Sequence, residues 1–224
     1  MFANEQIVTQ PVFFLFVAFS FLLTAGYFWG RRRNRNIFLA AFNDLLQVVQ
    51  PDDQTFRNIG GAIGYHANLT IKKKGFPLSR VDATITLLPR HAWLYYPISR
   101  LTRKFDRLFI TVYTKQPPRE EGHLIEARYN GFRGSKIEHA DRLNREDVQW
   151  GKLRFQIYYE GMAMRDTLVK FIDGNPDPGI LRHIAVVPGE KKIFIFMIPR
   201  RGEVARYLNP VYRLLPSLLQ QKKH

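Results

Sequence analysis

The pattern of apolar and charged positions divides the chain into a short start, an apolar run and a long mixed region. Residues 12–29 are eighteen uncharged, mostly apolar residues, and the basic sequence Arg31-Arg32-Arg33-Asn34-Arg35 follows almost at once. A run of this length just spans the hydrocarbon core of a bilayer as a helix. The pattern therefore predicts a single N-terminal transmembrane helix over residues 12–30.

The arginines after the apolar run predict its orientation in the membrane. Lys and Arg residues that flank a spanning helix stay on the cytoplasmic side, and the eleven residues before the run carry one charge, on Glu5. We expect residues 1–11 to form an extracytoplasmic or lumenal tail and the rest of the chain to be cytosolic. The membrane would be that of the endoplasmic reticulum in a eukaryote and the plasma membrane in a prokaryote. A cleaved signal peptide is the alternative, but its basic residues would precede the apolar run.

The mixed region alternates between helix-like and strand-like spacing of apolar residues. Helical spacing predicts a helix over 37–49 that continues from the apolar run, and another over 162–172. Segments typical of strands are 66–71, 81–87, 108–114, 122–129, 153–159, 180–187 and 193–198. Because several strands follow one another directly, the sequence predicts an α+β domain with a mainly antiparallel sheet.

The turns between these segments suggest how they pair. We expect 108–114 to pair with 122–129, and 180–187 to form a hairpin with 193–198, whereas the charged segment 136–147 would be a short surface helix. The predicted parts of the chain after the span are a basic flank and stalk helix over 31–50, a cytosolic α+β domain over 51–199 and a C-terminal amphipathic helix over 200–224.

Net charge restricts the kind of partner. The chain holds 34 basic and 19 acidic residues, and the part after residue 30 holds 34 basic and 18 acidic residues, a net charge of +16. A charge of this size indicates an anionic partner, which could be lipid headgroups, nucleic acid or an acidic protein. The absence of cysteine from the sequence excludes disulfides, thiol catalysis and zinc sites built on thiolates.

The motifs that resemble catalytic or metal sites are incomplete. Gly60-Gly61-x-x-Gly64 lacks the ending of a phosphate loop, so a turn is the better interpretation. The segment 173–177 begins like a calcium loop, but Pro178 and Ile184 stand where that loop needs Gly and Glu. The six histidines show no metal-ligand spacing and are interpreted as surface or hydrogen-bonded core residues. The sequence predicts no enzyme, metal site or cofactor, although spacing alone does not exclude catalytic residues that meet only in the fold.

Compact clusters of basic residues are the candidate binding sites. A solvated surface explains any one of them, but together they favour phosphate contact, driven by charge and shape because no RNP-type or helix-turn-helix motif accompanies them. The predicted RNA- or phosphate-binding residues are Lys72, Lys73, Lys74, Arg100, Arg103, Lys104, Arg200 and Arg201. The residues expected at lipid headgroups are Arg31, Arg32, Arg33 and Arg35.

The order of these parts resembles a known family. Tyr27-Phe28-Trp29-Gly30, followed by basic and Asn-rich residues and a helix to Phe42, is similar to the calumin family, the coiled-coil-domain subunit of the PAT complex at the translocon of the endoplasmic reticulum. Weaker similarity covers 94–128 and 168–199. The acidic lumenal segment and the long charged coiled coil of that family have no counterpart here. The resemblance implies work beside the Sec translocon, or an Oxa-type insertase, and the ribosome.

Two functional hypotheses follow. The first is a non-enzymatic membrane-protein biogenesis factor that binds ribosomal RNA through its basic domain. The second is a membrane-bound adaptor or structural subunit whose basic face lies on anionic lipid or on a membrane protein complex. In the second, the last helix would lie in the interface with four leucines inward and two lysines at headgroups. These residues are Leu214, Leu215, Leu218, Leu219, Lys222 and Lys223.

Overall fold

One long helix and a nine-stranded sheet dominate the structure. The computed structural model describes residues 10–73, 75–130, 137–138 and 140–219. The helices are α1 (Pro11–Val49), α2 (Tyr96–Thr102), α3 (Met162–Gly174) and α4 (Val204–Leu219). The strands are β1 (Asp53–Asn58), β2 (Gly64–Thr70), β3 (Leu78–Thr86), β4 (Arg107–Thr114), β5 (Gly122–Glu126), β6 (Asn144–Trp150), β7 (Leu153–Tyr159), β8 (Leu181–Val187) and β9 (Lys192–Met197). The predicted α+β class is confirmed.

The helix α1 joins the predicted span and the predicted helix after it in 39 residues without a break. Its length is about 58 Å at 1.5 Å per residue. Pro11 stands in its first turn, where proline is favoured because no backbone N–H is needed, and Gln50 follows its end in a left-handed conformation. Among the described residues, it is the one helix long and apolar enough to cross a membrane.

The sheet is antiparallel throughout, in the order β1-β2-β3-β4-β9-β8-β5-β7-β6. Alternate side chains of its central strands point to one face and are fully buried there, as in Val81, Ala83 and Ile85 of β3. The C-terminal part of α1, with α3 and α4, covers this face and completes the main hydrophobic core. The nine strands exceed the seven that the sequence predicted.

The helix predicted over 37–49 does not form a stalk that stands apart from the domain, because it is part of the hydrophobic core. Ala41, Phe42 and Leu45 of α1 are at most 3 % exposed. Phe38, one turn earlier, stacks on Tyr65 of β2 with ring centroids 3.9 Å apart. This apolar stripe needs burial, and the helix-covered face of the sheet provides it.

The last helix also belongs to the core, which corrects its proposed position in the membrane interface. Leu208, Val211 and Leu215 of α4 are at most 1 % exposed. Leu218 is buried as well, and Leu214 and Leu219 pack against the same core. The start of α4 is held by α1, since the backbone N–H of Ala205 donates to Asp44 Oδ2 at 3.2 Å. Lys222 and Lys223 lie outside the described residues.

Two further predictions about the sheet are wrong. Strand β4 pairs with β3 and β9, whereas β5 lies between β7 and β8, so the predicted pairing of 108–114 with 122–129 does not occur. The charged segment 136–147 was predicted as a helix, but apart from a single 3₁₀ turn at Ala140–Arg142 its described C-terminal part begins β6. The hairpin of β8 and β9 is confirmed.

The two ends of the sheet differ in their relation to α1. At one end, which we name the entry end, α1 reaches the domain beside the turn 59–63 and the connection 87–106. At the opposite end, the distal end, lie residues 71–73 and 75–77 between β2 and β3, and the connection 115–121. The eight residues of β4 run between the two ends, a separation of about 26 Å.

Candidate membrane-facing surface

Three positions of α1, each one helical turn after the last, contact the domain at the entry end. Gly26, Gly30 and Asn34 are buried although their neighbours along the helix are exposed. A methyl group on Gly30 would lie 2.1 Å from the carbonyl oxygen of Arg90, and one on Gly26 would lie 2.9 Å from the ring of Trp93. The two glycines therefore let the connection 87–106 lie directly on the helix backbone.

Asn34 begins a buried polar network that fixes α1 to this connection. Its amide nitrogen donates to the carbonyl oxygens of Ala62 at 3.0 Å and Leu88 at 2.9 Å. Its amide oxygen accepts a hydrogen bond from Arg90 Nη1 at 2.9 Å. Asn34 is at least 28 residues away in the chain from each of these partners. The network therefore determines where the helix meets the domain.

Arg90 also binds Asp106, at the end of the connection, and so extends the network. The guanidinium donates to both carboxylate oxygens of Asp106, at 2.9 and 2.8 Å. Asp106 also accepts the backbone N–H of Leu88 at 2.8 Å. Both charged side chains are 8 % exposed. A buried, two-pronged ion pair of this kind is strong while intact and costly to break, since a remaining charge would be unpaired in a poorly solvated place.

The predicted phosphate-binding residues are divided among three places. Arg100, Arg103 and Lys104 lie in and directly after α2, at the entry end, and are exposed. Arg200 and Arg201 follow β9 at the same end of the sheet. They come a few residues before Ala205, which contacts Asp44, ten residues along α1 from Asn34. Lys72 and Lys73 are exposed at the distal end, and Lys74 lies outside the described residues. The structure therefore does not bring the eight residues into one site.

The residues predicted at lipid headgroups surround the point where α1 meets the domain. Arg31, Arg32, Arg33 and Arg35 flank the buried Asn34 and are all exposed. Arg33 lies over the ring of Trp29 at 5.3 Å, and Arg31 Nη1 donates to Tyr27 Oη at 3.4 Å. These two arginines thus extend back along the helix towards the apolar run, as side chains do when they reach for a membrane surface.

The charge at the entry end is largely uncompensated. Over the described parts of the chain, Arg100, Arg103 and Lys104 have no carboxylate within 4.0 Å. By contrast, Arg200 pairs with Glu203 at 3.7 Å and Lys72 approaches Asp53 at 4.0 Å. The cluster of Arg100, Arg103 and Lys104 is therefore the predicted cluster best prepared for an external anion.

Sequence reasoning missed the buried half of this surface. Asn34 was visible only as a polar residue within a basic run, and Arg90 and Asp106 were not singled out. The spacing of Gly26, Gly30 and Asn34 is a signal that could have indicated the docked side of α1, because it puts two small residues and an amide on one side of an otherwise bulky apolar and basic helix. Nothing in the sequence indicated Arg90 or Asp106.

A second group of titratable residues lies on the sheet face that the helices do not cover. His123 of β5 and His183 of β8 stack with ring centroids 5.6 Å apart, in a cleft of about 460 Å³ that Lys192 and Phe194 also line. His123 Nε2 lies 3.0 Å from Glu121 Oε1, but neither ring nitrogen of His183 has a partner among the described residues. Within the described part of the chain, His183 is thus buried without a hydrogen-bond partner, which differs from the hydrogen-bonded core histidine that the sequence predicted.

Burial of these two rings predicts acid sensitivity. Burial lowers the pKa of His183 from 6.5 to about 3, helped by the neighbouring His123, whose own pKa is lowered by burial. The folded protein keeps His183 neutral while the unfolded chain takes up a proton below pH 6.5, so this stability is complete above that pH and is lost as the pH falls towards 3. The loss is about 1.4 kcal/mol per pH unit for such a group.

We expect the free energy of unfolding of the full chain in detergent to fall by about 2 kcal/mol between pH 6.5 and 5 through His183. The substitution His183→Leu should remove that share of the pH dependence, whatever it does to stability at neutral pH. Denaturant titrations at the two pH values measure the difference. Equal pH slopes for the two proteins would show that His183 takes up its proton as readily in the folded protein as in the unfolded chain.

Comparison with known proteins adds no family to this description. No protein-family model matches the chain, and no curated protein matches it. The similarity to the calumin family stays a prediction from the sequence. What the protein does must therefore be inferred from its entry end and its charge.

Proposed function

We propose that the protein is a non-enzymatic, membrane-anchored adaptor or structural subunit whose entry end lies on anionic lipid headgroups. In this proposal α1 crosses the bilayer with residues 12–29, and the domain sits on the cytosolic side. The observation that carries the proposal is that the two segments that meet where the apolar helix enters the domain carry seven exposed cations. They are Arg31, Arg32, Arg33, Arg35, Arg100, Arg103 and Lys104.

Charge and tethering act together in this arrangement. Each basic residue near an anionic leaflet contributes about 1 kcal/mol of attraction, which falls off within the Debye length of about 8 Å at physiological salt. The contacts of Gly26 and Gly30 hold residues 90–93 of the connection 87–106 on the helix, and Arg100, Arg103 and Lys104 follow in the same connection. The helix would keep these residues within reach of the headgroups, so the cluster would orient the domain on the membrane.

The distal end supports a second, more specific function. Lys115 Nζ donates to the carbonyl oxygen of Lys73 at 3.3 Å, so Lys72, Lys73 and Lys115 form one exposed basic group about 26 Å from the entry end. A domain held by its entry end would direct this group away from the membrane. We propose it as the contact for ribosomal RNA if the protein is a biogenesis factor working beside a Sec translocon or an Oxa-type insertase.

Two triple variants with the same change of charge separate these roles. Arg100, Arg103 and Lys104 replaced by Gln form the entry variant, and Lys72, Lys73 and Lys115 replaced by Gln form the distal variant. Because the sequence has no cysteine, a fluorophore can be attached at Thr102→Cys or Gln116→Cys alone. Energy transfer to labelled headgroups is then measured for the full chain in phosphatidylcholine vesicles with and without phosphatidylglycerol.

We expect transfer from position 102 to exceed transfer from position 116, and to increase when the anionic lipid is added. The entry variant should lose the increase, the distal variant should keep it, and high salt should suppress it in the parent chain. Stronger transfer from position 116, or no effect of lipid charge on any variant, would overturn the proposal. Sedimentation of ribosomes with the same vesicles should show the opposite pattern if the distal group binds RNA, with loss only in the distal variant.

A further inference from the structure

A contiguous set of large apolar side chains is exposed at the entry end. Leu94, Ile98 and Leu101 are 68 %, 55 % and 77 % exposed, and the rings of Trp93 and Tyr95 are nearly half exposed. All five lie in α2 and the turn before it. Single exposed apolar residues are ordinary on a soluble domain, but a contiguous patch marks an interaction surface.

The position of this patch along α1 is fixed by contacts. The connection 87–106 meets the helix at Gly30 through the backbone of Arg90, and then runs towards the helix N terminus until Trp93 lies on Gly26. The ring of His91 also stands edge-on to Tyr27, with centroids 5.9 Å apart. Gly26 is four residues further into the apolar run than Gly30, a distance of about 6 Å. Trp93, at the start of the patch, therefore lies beside the last turn of the apolar run, and the rest of the patch follows it directly in the chain.

The chemistry of the patch matches the boundary between headgroups and acyl chains. Trp and Tyr are enriched at that depth because their rings are apolar and their N–H and O–H groups are polar. Ile98 and Leu101 are three residues apart on α2 and share one side of it. The cations Arg100, Arg103 and Lys104 border them, as on helices that lie in the plane of a membrane surface.

From this we infer that residues 91–102 form an interfacial wedge, which inserts Trp93, Leu94, Ile98 and Leu101 into the bilayer beside α1. The inference rests on the proposed span and adds a second membrane contact to it. The proposed occupant of the patch is lipid because the patch is continuous with the apolar run and has cations at its border. With two contacts, α1 and the wedge together would fix the tilt of the domain, which a single helix does not.

The tryptophans of the chain allow a direct test. The sequence has three, at 29, 93 and 150, and Trp150 is 2 % exposed in the core, so it serves as an internal reference that lipid should not quench. In a Trp29→Phe variant, the emission that lipid can reach comes from Trp93. In a Trp93→Phe variant it comes from Trp29, within the span itself. Both full-length variants are reconstituted in vesicles whose acyl chains carry bromine at a shallow or a deep position.

We expect brominated lipid to quench Trp93 in the first variant, more strongly from the shallow position, and Trp29 in the second. Quenching of Trp29 without quenching of Trp93 would overturn the wedge but not the span. This result is the one expected if another protein or water, and not lipid, covers the patch. If neither residue is quenched, both the span and the wedge are wrong.

Charged substitutions on the patch test whether its apolar character causes the insertion. In the Trp29→Phe background, Leu94→Glu and Leu101→Glu together should abolish most of the quenching of Trp93. Met162 is the matched control, since it is a large apolar residue, 59 % exposed, at the start of α3, so Met162→Glu should leave the quenching unchanged. Unchanged emission from Trp150 would show that both variants fold. Equal quenching of Trp93 in both variants would contradict the inference.

Discussion

The substitution Asp106→Ala is expected to destabilise the folded protein by about 3–5 kcal/mol, because it leaves the guanidinium of Arg90 buried without its partner. Arg90 would keep its contact with Asn34 but would lose both bonds to the carboxylate. The backbone N–H of Leu88 would lose its acceptor as well. Such a loss is a large fraction of the whole stability of an ordinary domain.

The measurement is the free energy of unfolding of the full chain in detergent, from denaturant titration followed by tryptophan fluorescence. Asp147→Ala is the matched control, because its pair with Arg145 has both side chains more than half exposed and should contribute about 1 kcal/mol or less. The double variant Arg90→Leu, Asp106→Leu should cost less than Asp106→Ala, since no charge remains buried. The account of the network fails if Asp106→Ala costs no more than Asp147→Ala.

The strands that the sequence predicted are those that bury several side chains in the core. In β4, and in β3 from Val81 onwards, every second residue is buried, and this alternation is what a sequence pattern can detect. The two edge strands lack it. All six residues of β1 are exposed, and β6 has one buried residue in seven. An edge strand has a neighbouring strand on one side only and pairs with it through the backbone. Its side chains can therefore stay polar, and its sequence then shows no alternation of apolar and polar residues.

Burial also explains what the sequence could not say about the two terminal helices. An apolar stripe on α4 indicates that the helix must cover something, but not whether this is a membrane or a sheet. The hydrogen bond between Ala205 and Asp44, which is 161 residues earlier in the chain, shows that α4 packs on the domain. The same reasoning applies to α1. The sequence of its second half is compatible with a stalk, but the contact of Phe38 with Tyr65 shows that this half packs on the sheet.

The candidate surface was predictable as charge but not as geometry. Basic clusters are visible in any sequence, whereas the division of those clusters between the entry and distal ends depends on strand order. The buried network is less visible still. Asn34 and Arg90 are 56 residues apart in the chain, and Arg90 and Asp106 are 16 apart. A lone Arg and a lone Asp have no periodicity, so only the folded chain reveals that they are partners.

The second large effect should come from one methyl group at Gly30. In the middle of a helix, Gly→Ala ordinarily stabilises by about 1 kcal/mol, so the local preference of the helix favours the substitution. In Gly30→Ala, however, the new methyl group would lie 2.1 Å from the carbonyl oxygen, 2.3 Å from the carbonyl carbon of Arg90 and 2.5 Å from the backbone nitrogen of His91. These are backbone atoms, so relief requires the connection to move away from α1.

We expect Gly30→Ala to lower the stability of the full chain in detergent by about 3 kcal/mol, at the upper end of the usual cost of overpacking, and to weaken the hold of Arg90 on Asn34. Two other glycines complete a graded series. At Gly26 a methyl group meets the side chain of Trp93, which can rotate away, so Gly26→Ala should cost less. At Gly174, in the last turn of α3, nothing lies within 4 Å, so Gly174→Ala should be neutral. Unfolding titrations in this order measure how closely the helix is docked. A Gly30→Ala protein as stable as Gly174→Ala would mean that α1 does not touch the connection at residue 90, and the position assigned to the membrane-facing surface would be lost with that contact.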